Sequence, residues 1–369
     1  MSRISLLRFC QRCFLLGLIG LGILYGCSNP AADQPGGEGS ANSSGNNSVD
    51  IGVSFGEGSI QGFSELGDTL TTPVMRGSFA IAVQDSFLQA MKQYRIDPEN
   101  QSYFLALATA TTATGNFREA LTLYAEGVFK FPEDPRVFLG RSHVWMQLRD
   151  FERAQDDLEI AMERAKSATE LMDYHAGTDP DGTIYREILH QRTFLHILEE
   201  EYEDAAGLLS ELLEFVPNQA SEPSLPVLFW AMIVSQQTGD DSYVNDALAM
   251  AKTHSEYNLR SKKWQQASPQ TSLWMSNPAF FNQNSALYAD LFALFAGEAE
   301  PDALWNRFYP ADQTTKELLH HGLAYWHLYF GREEQAIFEW QSIIDTSEVP
   351  FGHLYLLAET NLAKLRQAS

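Results

Sequence analysis

Apolar residues recur at steps of three and four along most of the chain after Ser78. The first such stripe consists of Phe79, Ala82, Val83, Phe87, Ala90, Met91 and Tyr94. This spacing places the side chains on one face of an α-helix, and Ser78 is a suitable N-cap residue for it. Similar stripes follow towards the end of the chain, so the pattern predicts an all-α protein built from amphipathic helices.

Residues 101–134 contain the most specific pattern. Its framework positions are Phe104, Leu107, Ala108, Gly115, Asn116, Phe117, Ala120, Tyr124, Gly127 and Pro132. The small side chains of Ala108 and Ala120 allow two antiparallel helices to approach closely. Gly115 turns the chain and Pro132 ends the second helix. The segment resembles a tetratricopeptide repeat at nearly every framework position.

The pattern recurs, with turns predicted at residues 115, 149, 200, 239, 297 and 331. The intervals are 34, 51, 39, 58 and 34 residues, so two equal the tetratricopeptide period and the others require insertions. The resemblance implies a right-handed α-α superhelix of about five to six helix pairs with divergent copies, over residues 78–369. Residues 354–365 are predicted to form a C-terminal capping helix that covers the last apolar face.

The concave face of such a superhelix, lined by the first helix of each pair, implies a surface for a peptide or partner helix. Transferring the family's groove positions to this sequence gives the candidate partner-binding residues His143, Met146, His190, Phe194, His321 and Tyr325. The lysine and asparagine clamp of chaperone-binding members is absent, so an apolar segment is the expected ligand. The alternative is that several of these side chains pack between repeats.

The first 26 residues have the pattern of an export signal. Three arginines and no acidic residue accompany an 11-residue apolar run over 14–24, which is too short to span a bilayer. The segment Leu24-Tyr25-Gly26-Cys27 resembles a bacterial lipobox, although Tyr25 is bulkier than the usual residue. The resemblance implies removal of residues 1–26, a lipid on Cys27 and, because Ser28 follows, sorting to the outer membrane.

A linker and an arm are predicted between the signal and the helices. Residues 27–50 are rich in Gly, Ser and Asn, and they contain too little apolar surface to offset the entropy of ordering. Residues 51–77 combine alternating apolar residues with frequent glycines, which favours an extended arm on the helical domain. All three cysteines precede this arm, so the mature chain has no partner for an intrachain disulfide.

Charge narrows the class of partner. The chain carries 48 acidic and 25 basic residues, a net charge of −23, which disfavours nucleic acid. One insertion departs from this acidic character, and its candidate docking residues are Arg260, Lys262, Lys263, Trp264 and Trp274. Aromatic and basic side chains on a loop can anchor a protein, glycan or lipid surface. They can equally cap the neighbouring divergent repeats.

The sequence contains no motif that supports catalysis, a cofactor or a metal site. His320, His321 and His327 lack the i, i+4 spacing of a helical metal pair. The loop around Gly182 lacks the terminal carboxylates of a calcium loop. We therefore expect no catalytic residue, no cofactor and no resident metal.

These features together predict a membrane-anchored adaptor for cell-envelope assembly. Its expected partners are an envelope protein or peptide segment and the membrane, which it contacts through the lipid on Cys27. The expected location is the periplasmic side of the outer membrane. The first alternative is a helical-repeat lipoprotein receptor for a glycan or another ligand at the cell surface, which exposed Trp264 and Trp274 would favour. An enzyme is the second alternative and has the weakest support from the motifs.

Overall fold

The computed structural model describes residues 58–73, 77–171, 183–214, 225–239, 285–309, 311–347 and 351–368. The predicted signal peptide (1–26), the linker (27–50) and the insertion that contains Trp264 lie outside these residues. The described part consists of one β-hairpin followed by α-helices. None of the described helices is both long and apolar enough to cross a membrane.

The elements follow one another in a simple order. The hairpin is formed by β1 (Ile60–Phe63) and β2 (Thr69–Thr71). The helices in the described ranges are α1 (Gly77–Ile96), α2 (Gln101–Ala113), α3 (Phe117–Lys130), α4 (Pro135–Gln147), α5 (Phe151–Leu171), α6 (Thr183–Leu198), α7 (Tyr202–Glu214), α8 (Leu225–Thr238), α9 (Ser285–Phe295), α10 (Pro301–Phe308), α11 (Gln313–Tyr329), α12 (Glu333–Thr346) and α13 (His353–Ala368).

Successive helices pack against each other as antiparallel pairs. Complete pairs in the described ranges are α2 with α3, α4 with α5, α6 with α7, α9 with α10, and α11 with α12. First helices of neighbouring pairs also touch, since α4 contacts both α2 and α6. The final helix, α13, contacts α12, α11 and α6. This arrangement is the all-α helical-repeat superhelix that the sequence pattern predicts.

The turns inside the pairs confirm the predicted register. All six predicted turn positions have a left-handed backbone, with φ values between 62° and 76°. Four of them are glycine, which adopts this conformation without steric cost. The other two are Arg149 and Glu200, at φ 62° and 63°. A side chain at such a position is disfavoured by roughly 1 kcal/mol, so something must favour its retention there.

Close approach between helices explains the small residues of the framework. Ala108 and Ala120 are fully buried where α2 meets α3. A Cβ on Gly140 of α4 would lie 2.4 Å from the Tyr124 ring of α3, so this glycine admits the tyrosine. Interiors of this density leave no room for a longer side chain at these positions.

The hairpin lies against the first turns of the array, in the region where the extended arm is predicted. β1 and β2 are antiparallel, and Leu70 is buried. Gln61 is buried too, and its Oε1 accepts the backbone N–H of Arg118 at 3.2 Å. A Cβ on Gly115 would meet Pro73 Cδ at 2.3 Å, so this glycine provides space as well as the turn. The hairpin is therefore fitted to the α2–α3 turn.

Candidate functional site

The face formed by the first helices α4, α6 and α11, which we call the inner face, carries the predicted partner-binding residues. Side chains of Met146, Phe194, His321 and Tyr325 are buried, as is His143, and His190 is partly covered. α13 lies on this face, with His353 against His143 and Phe194, the Leu354 backbone on His321 and Asn361 on Tyr325. The burial favours the alternative in which these side chains pack inside the molecule, and in this conformation they do not line an open groove.

The position of α13 corrects the prediction of a solvating cap over 354–365. Every residue from His353 to Thr360 is buried, so no polar face is turned to water over two turns of helix. The buried apolar set is Leu354, Tyr355, Leu356, Leu357 and Ala358. A cap would be covered on one side only. This helix is instead enclosed by the array.

The start of the α13 segment is held by α3, α4 and α6. Phe351 packs edge-to-face on Phe117 with ring centroids 4.6 Å apart. The backbone N–H of Gly352 donates to Gln147 Oε1 at 2.8 Å, at the end of α4. The His353 ring lies 4.3 Å from the ring of Phe194, and its Nε2 donates to Gln191 Oε1 at 3.1 Å. Both apolar and polar groups thus fix this end.

His321 of α11 connects α13 to α12 through both ring nitrogens. Its Nε2 donates to the backbone oxygen of Leu354 at 2.7 Å, and its Nδ1 accepts the indole N–H of Trp340 at 3.0 Å. This pair of contacts requires the neutral imidazole, because a proton on Nδ1 would face the Trp340 donor. Burial lowers the His321 pKa to about 3, which agrees with that requirement.

A buried ion pair holds the middle of α13. Arg149, in the α4–α5 turn, donates through Nε to Glu359 Oε1 at 3.0 Å and through Nη2 to Oε2 at 2.5 Å. The Arg149 and Glu359 side chains are only 3% and 0% exposed. The hairpin joins this pair, since the backbone N–H of Glu65 donates to Glu359 Oε1 at 2.7 Å. One carboxylate therefore links the hairpin, a repeat turn and α13.

The end of α13 is held by α6 and α11. Lys364 Nζ donates to the backbone oxygen of Leu198 at 2.7 Å, at the end of α6. It also lies 3.4 Å from Glu200 Oε1, in the α6–α7 turn. Asn361 Nδ2 donates to the Tyr325 hydroxyl at 3.3 Å. Burial lowers the Lys364 pKa, and the Glu200 carboxylate opposes that shift.

Three histidines and one carboxyl with shifted pKa values lie near the start of α13. Burial lowers the pKa of His143 to about 4 and of His190 to about 3. Burial also lowers the His353 pKa, helped by nearby His143 and His190. Burial raises the pKa of Glu187 to about 7. Burial therefore keeps these three imidazoles uncharged at neutral pH.

The remaining candidates from the sequence stay predictions. Cys27 and the docking residues Arg260, Lys262, Lys263, Trp264 and Trp274 lie outside the described residues. In the described ranges, His196, Glu201 and Asp204 lie close enough to share a cation. Arg192 lines the same open depression, and His196 Nδ1 already bonds Glu201 Oε2 at 2.6 Å. An arginine there disfavours a cation.

No protein-family model and no curated protein sequence matches the chain. Among solved structures it is similar to a tetratricopeptide repeat protein from Parabacteroides merdae, at 16% identity and a TM-score of 0.41, over 77% of this chain and 93% of that one. It is also similar to YrrB, described as a TPR protein with an unusual peptide-binding site, at 11% identity and a TM-score of 0.34, over 76% of this chain and 98% of that one.

Proposed function

We propose that this chain is a lipid-anchored adaptor of the bacterial cell envelope. In this proposal Cys27 carries the lipid, residues 28–50 act as a tether, and the helical-repeat array binds a segment of an envelope protein. The array would face the periplasm from the outer membrane. The observation that carries the binding role is the inner face itself, which encloses one α-helix with apolar contacts and with polar contacts at both of its ends.

The geometry supports binding because the inner face combines two properties of helix-binding grooves. Large side chains such as Phe194 and Tyr325 supply apolar contact area with few torsions to freeze. Polar groups at the ends of α4 and α6 set the position of the bound helix along the groove. A surface with both properties recognises a helix by shape and by register.

Two experiments on cells that express the full chain test the proposal. Labelling with a fatty-acid probe should mark the wild type and leave Cys27→Ser unmarked. A photo-crosslinking residue at position 190, at a partly covered position on the inner face, should give a discrete protein adduct, while the same residue at exposed position 129 on α3 should not. Equal labelling of both cysteine variants, or identical adducts from both positions, would contradict the proposal.

A further inference from the structure

Two of the six repeat turns lack the glycine that their backbone favours. Glycine occupies the left-handed position at residues 115, 239, 297 and 331, but Arg149 and Glu200 occupy it in the pairs that begin with α4 and α6. A side chain at this φ is strained. At Gly239, Gly297 and Gly331 an added Cβ would meet nothing within 4 Å. Lack of space therefore does not explain why these turns have glycine while positions 149 and 200 have side chains.

Both exceptional side chains bind α13. Arg149 pairs with Glu359, and Glu200 pairs with Lys364, so the two strained positions contact the same helix. The two ion pairs have opposite polarity. At the first turn the array supplies the arginine and α13 the glutamate, and at the next turn the array supplies the glutamate and α13 the lysine. This order fixes the direction of α13 as well as its register along the inner face.

Hydrogen bonds that involve main-chain groups at the ends of α4 and α6 also hold α13 in this position. Gly352 is held at the end of α4 and Lys364 at the end of α6, so α13 is bound where first helices end and their turns begin. Between these ends α13 buries apolar side chains and the Glu359 carboxylate, and it bonds to Gln191, His321 and Tyr325. A buried ion pair adds little net stability over an apolar contact of similar volume, and in some proteins it specifies which arrangement forms.

We propose that the inner face is a helix-binding site of which α13 is the resident occupant, and that a partner enters as an apolar α-helix whose carboxylate replaces Glu359 on Arg149. The inference rests on the proposed adaptor function and names the partner's chemistry. Because α13 is part of the same chain, it occupies the site at a high effective concentration. The partner therefore binds only when α13 leaves, and its apparent affinity equals its intrinsic affinity multiplied by the fraction of chains in which α13 has left the site.

Peptide exchange in a cleavable full chain tests the proposal. A specific protease site is inserted between Ser347 and Phe351, the chain is cut, and a fluorescent peptide of residues 351–369 is added. We expect the peptide to replace the resident segment while the rest of the array keeps its helical circular dichroism. A peptide with Glu359→Gln should bind on the order of a hundredfold more weakly, because the buried Arg149 guanidinium loses the carboxylate that opposes its charge. A Gln367→Ala peptide, changed at an exposed position, should bind as the wild type does.

A variant that is not cleaved tests the proposal if the cleaved chain does not stay folded. The full chain with Glu359→Gln holds its own α13 less tightly, so the wild-type peptide should bind it more tightly than it binds the wild-type chain. The proposal would be overturned if the cleaved chain lost the helicity of the whole array when residues 351–369 left it. Equal binding of the peptide to the uncut wild-type and Glu359→Gln chains would also overturn it. An unlabelled Cys27 would instead count against the adaptor function, because peptide exchange does not depend on the lipid.

Discussion

The first and the last described helices, α1 and α13, have similar apolar content and opposite environments. α1 covers the outside of the first pair, and Ile81 and Ile96 on its free side are 61% and 73% exposed. α13 packs against α6, α11 and α12, and its central Glu359 is 0% exposed. α1, with its exposed isoleucines, thus covers the outside of the array. α13, with its buried glutamate, occupies the inner face.

This comparison shows that the two terminal helices differ in the contacts of their polar residues and not in their apolar content. The apolar residues of α1, such as Val83 and Phe87, contact the array in the way that any amphipathic helix does. Polar residues of α13 also bond to other elements, Glu359 to Arg149 in the α4–α5 turn and Lys364 to the backbone oxygen of Leu198. Substitutions in matched positions of the two helices should therefore have very different effects.

The largest effect is expected for Glu359→Gln. Removing the carboxylate leaves the Arg149 guanidinium buried without its ion-pair partner, so we expect a loss of about 3 to 5 kcal/mol in the free energy of unfolding. Asp85→Asn, at an exposed position of α1, should change it by less than about 0.5 kcal/mol. Urea unfolding followed by circular dichroism measures both. Similar values for the two variants would contradict the distinction between α1 and α13.

Ala120→Leu should have the next largest effect. Ala120 is fully buried between paired helices, and a leucine would overpack that contact at a cost of roughly 1 to 3 kcal/mol. Ala82→Leu places the same side chain on the exposed side of α1 and should be close to neutral. The comparison is made by thermal melts of the two variants. An unchanged melt for Ala120→Leu would show that the helix-pair register is wrong.

A pH effect of about 2 kcal/mol is expected from His321. The unfolded chain gains the proton below its ordinary pKa of 6.5, whereas the folded imidazole stays neutral down to about 3, so folding stability falls as pH falls. Glu187, with its raised pKa, acts in the opposite direction in the same range. Glu187 contributes equally to the pH dependence of wild type and of His321→Leu, so its contribution cancels when the two stability profiles are compared. We expect the loss of stability from pH 7 to pH 5 to be smaller in the variant, and an identical pH profile would contradict the assignment.

The smallest effect concerns the two strained turns. Glu200→Gly relieves the left-handed strain and removes a partly exposed ion pair, so we expect a net gain of up to about 1 kcal/mol. Gly331→Glu is the reverse change at a turn where a Cβ meets no other atom, and it should lose about 1 kcal/mol. Denaturant midpoints compare the two. Destabilisation by Glu200→Gly would mean that the Lys364 contact outweighs the backbone strain.

Local signals in the sequence predict the helix pairs well. The framework alanines and the turn register follow from spacing within about 34 residues, and the structure confirms all six turn positions. The buried state of the inner face does not follow from such spacing. Arg149 and Glu359 are separated by 210 residues, and a glutamate among leucines has the same appearance in a solvating helix as in an enclosed one.

One signal in the sequence does point to the occupied inner face. Positions 149 and 200 carry charged residues where the repeat pattern favours glycine, and these residues bind α13. A departure from a local preference is expected where function or tertiary contact requires it. The hairpin could not be predicted in the same way, because Gln61 bonds to Arg118, which lies 57 residues away in the sequence.

Native-state hydrogen exchange of the full chain tests the central claim most directly. If α13 is a resident occupant, its amides exchange together, as one unit, with a free energy below that of the helices α4 and α11 that hold it. The amides of α1 should exchange by gradual fraying from its ends and show no such common value. Exchange of α13 only in step with α4 and α11, at the free energy of global unfolding, would contradict the claim and make α13 an inseparable part of the core.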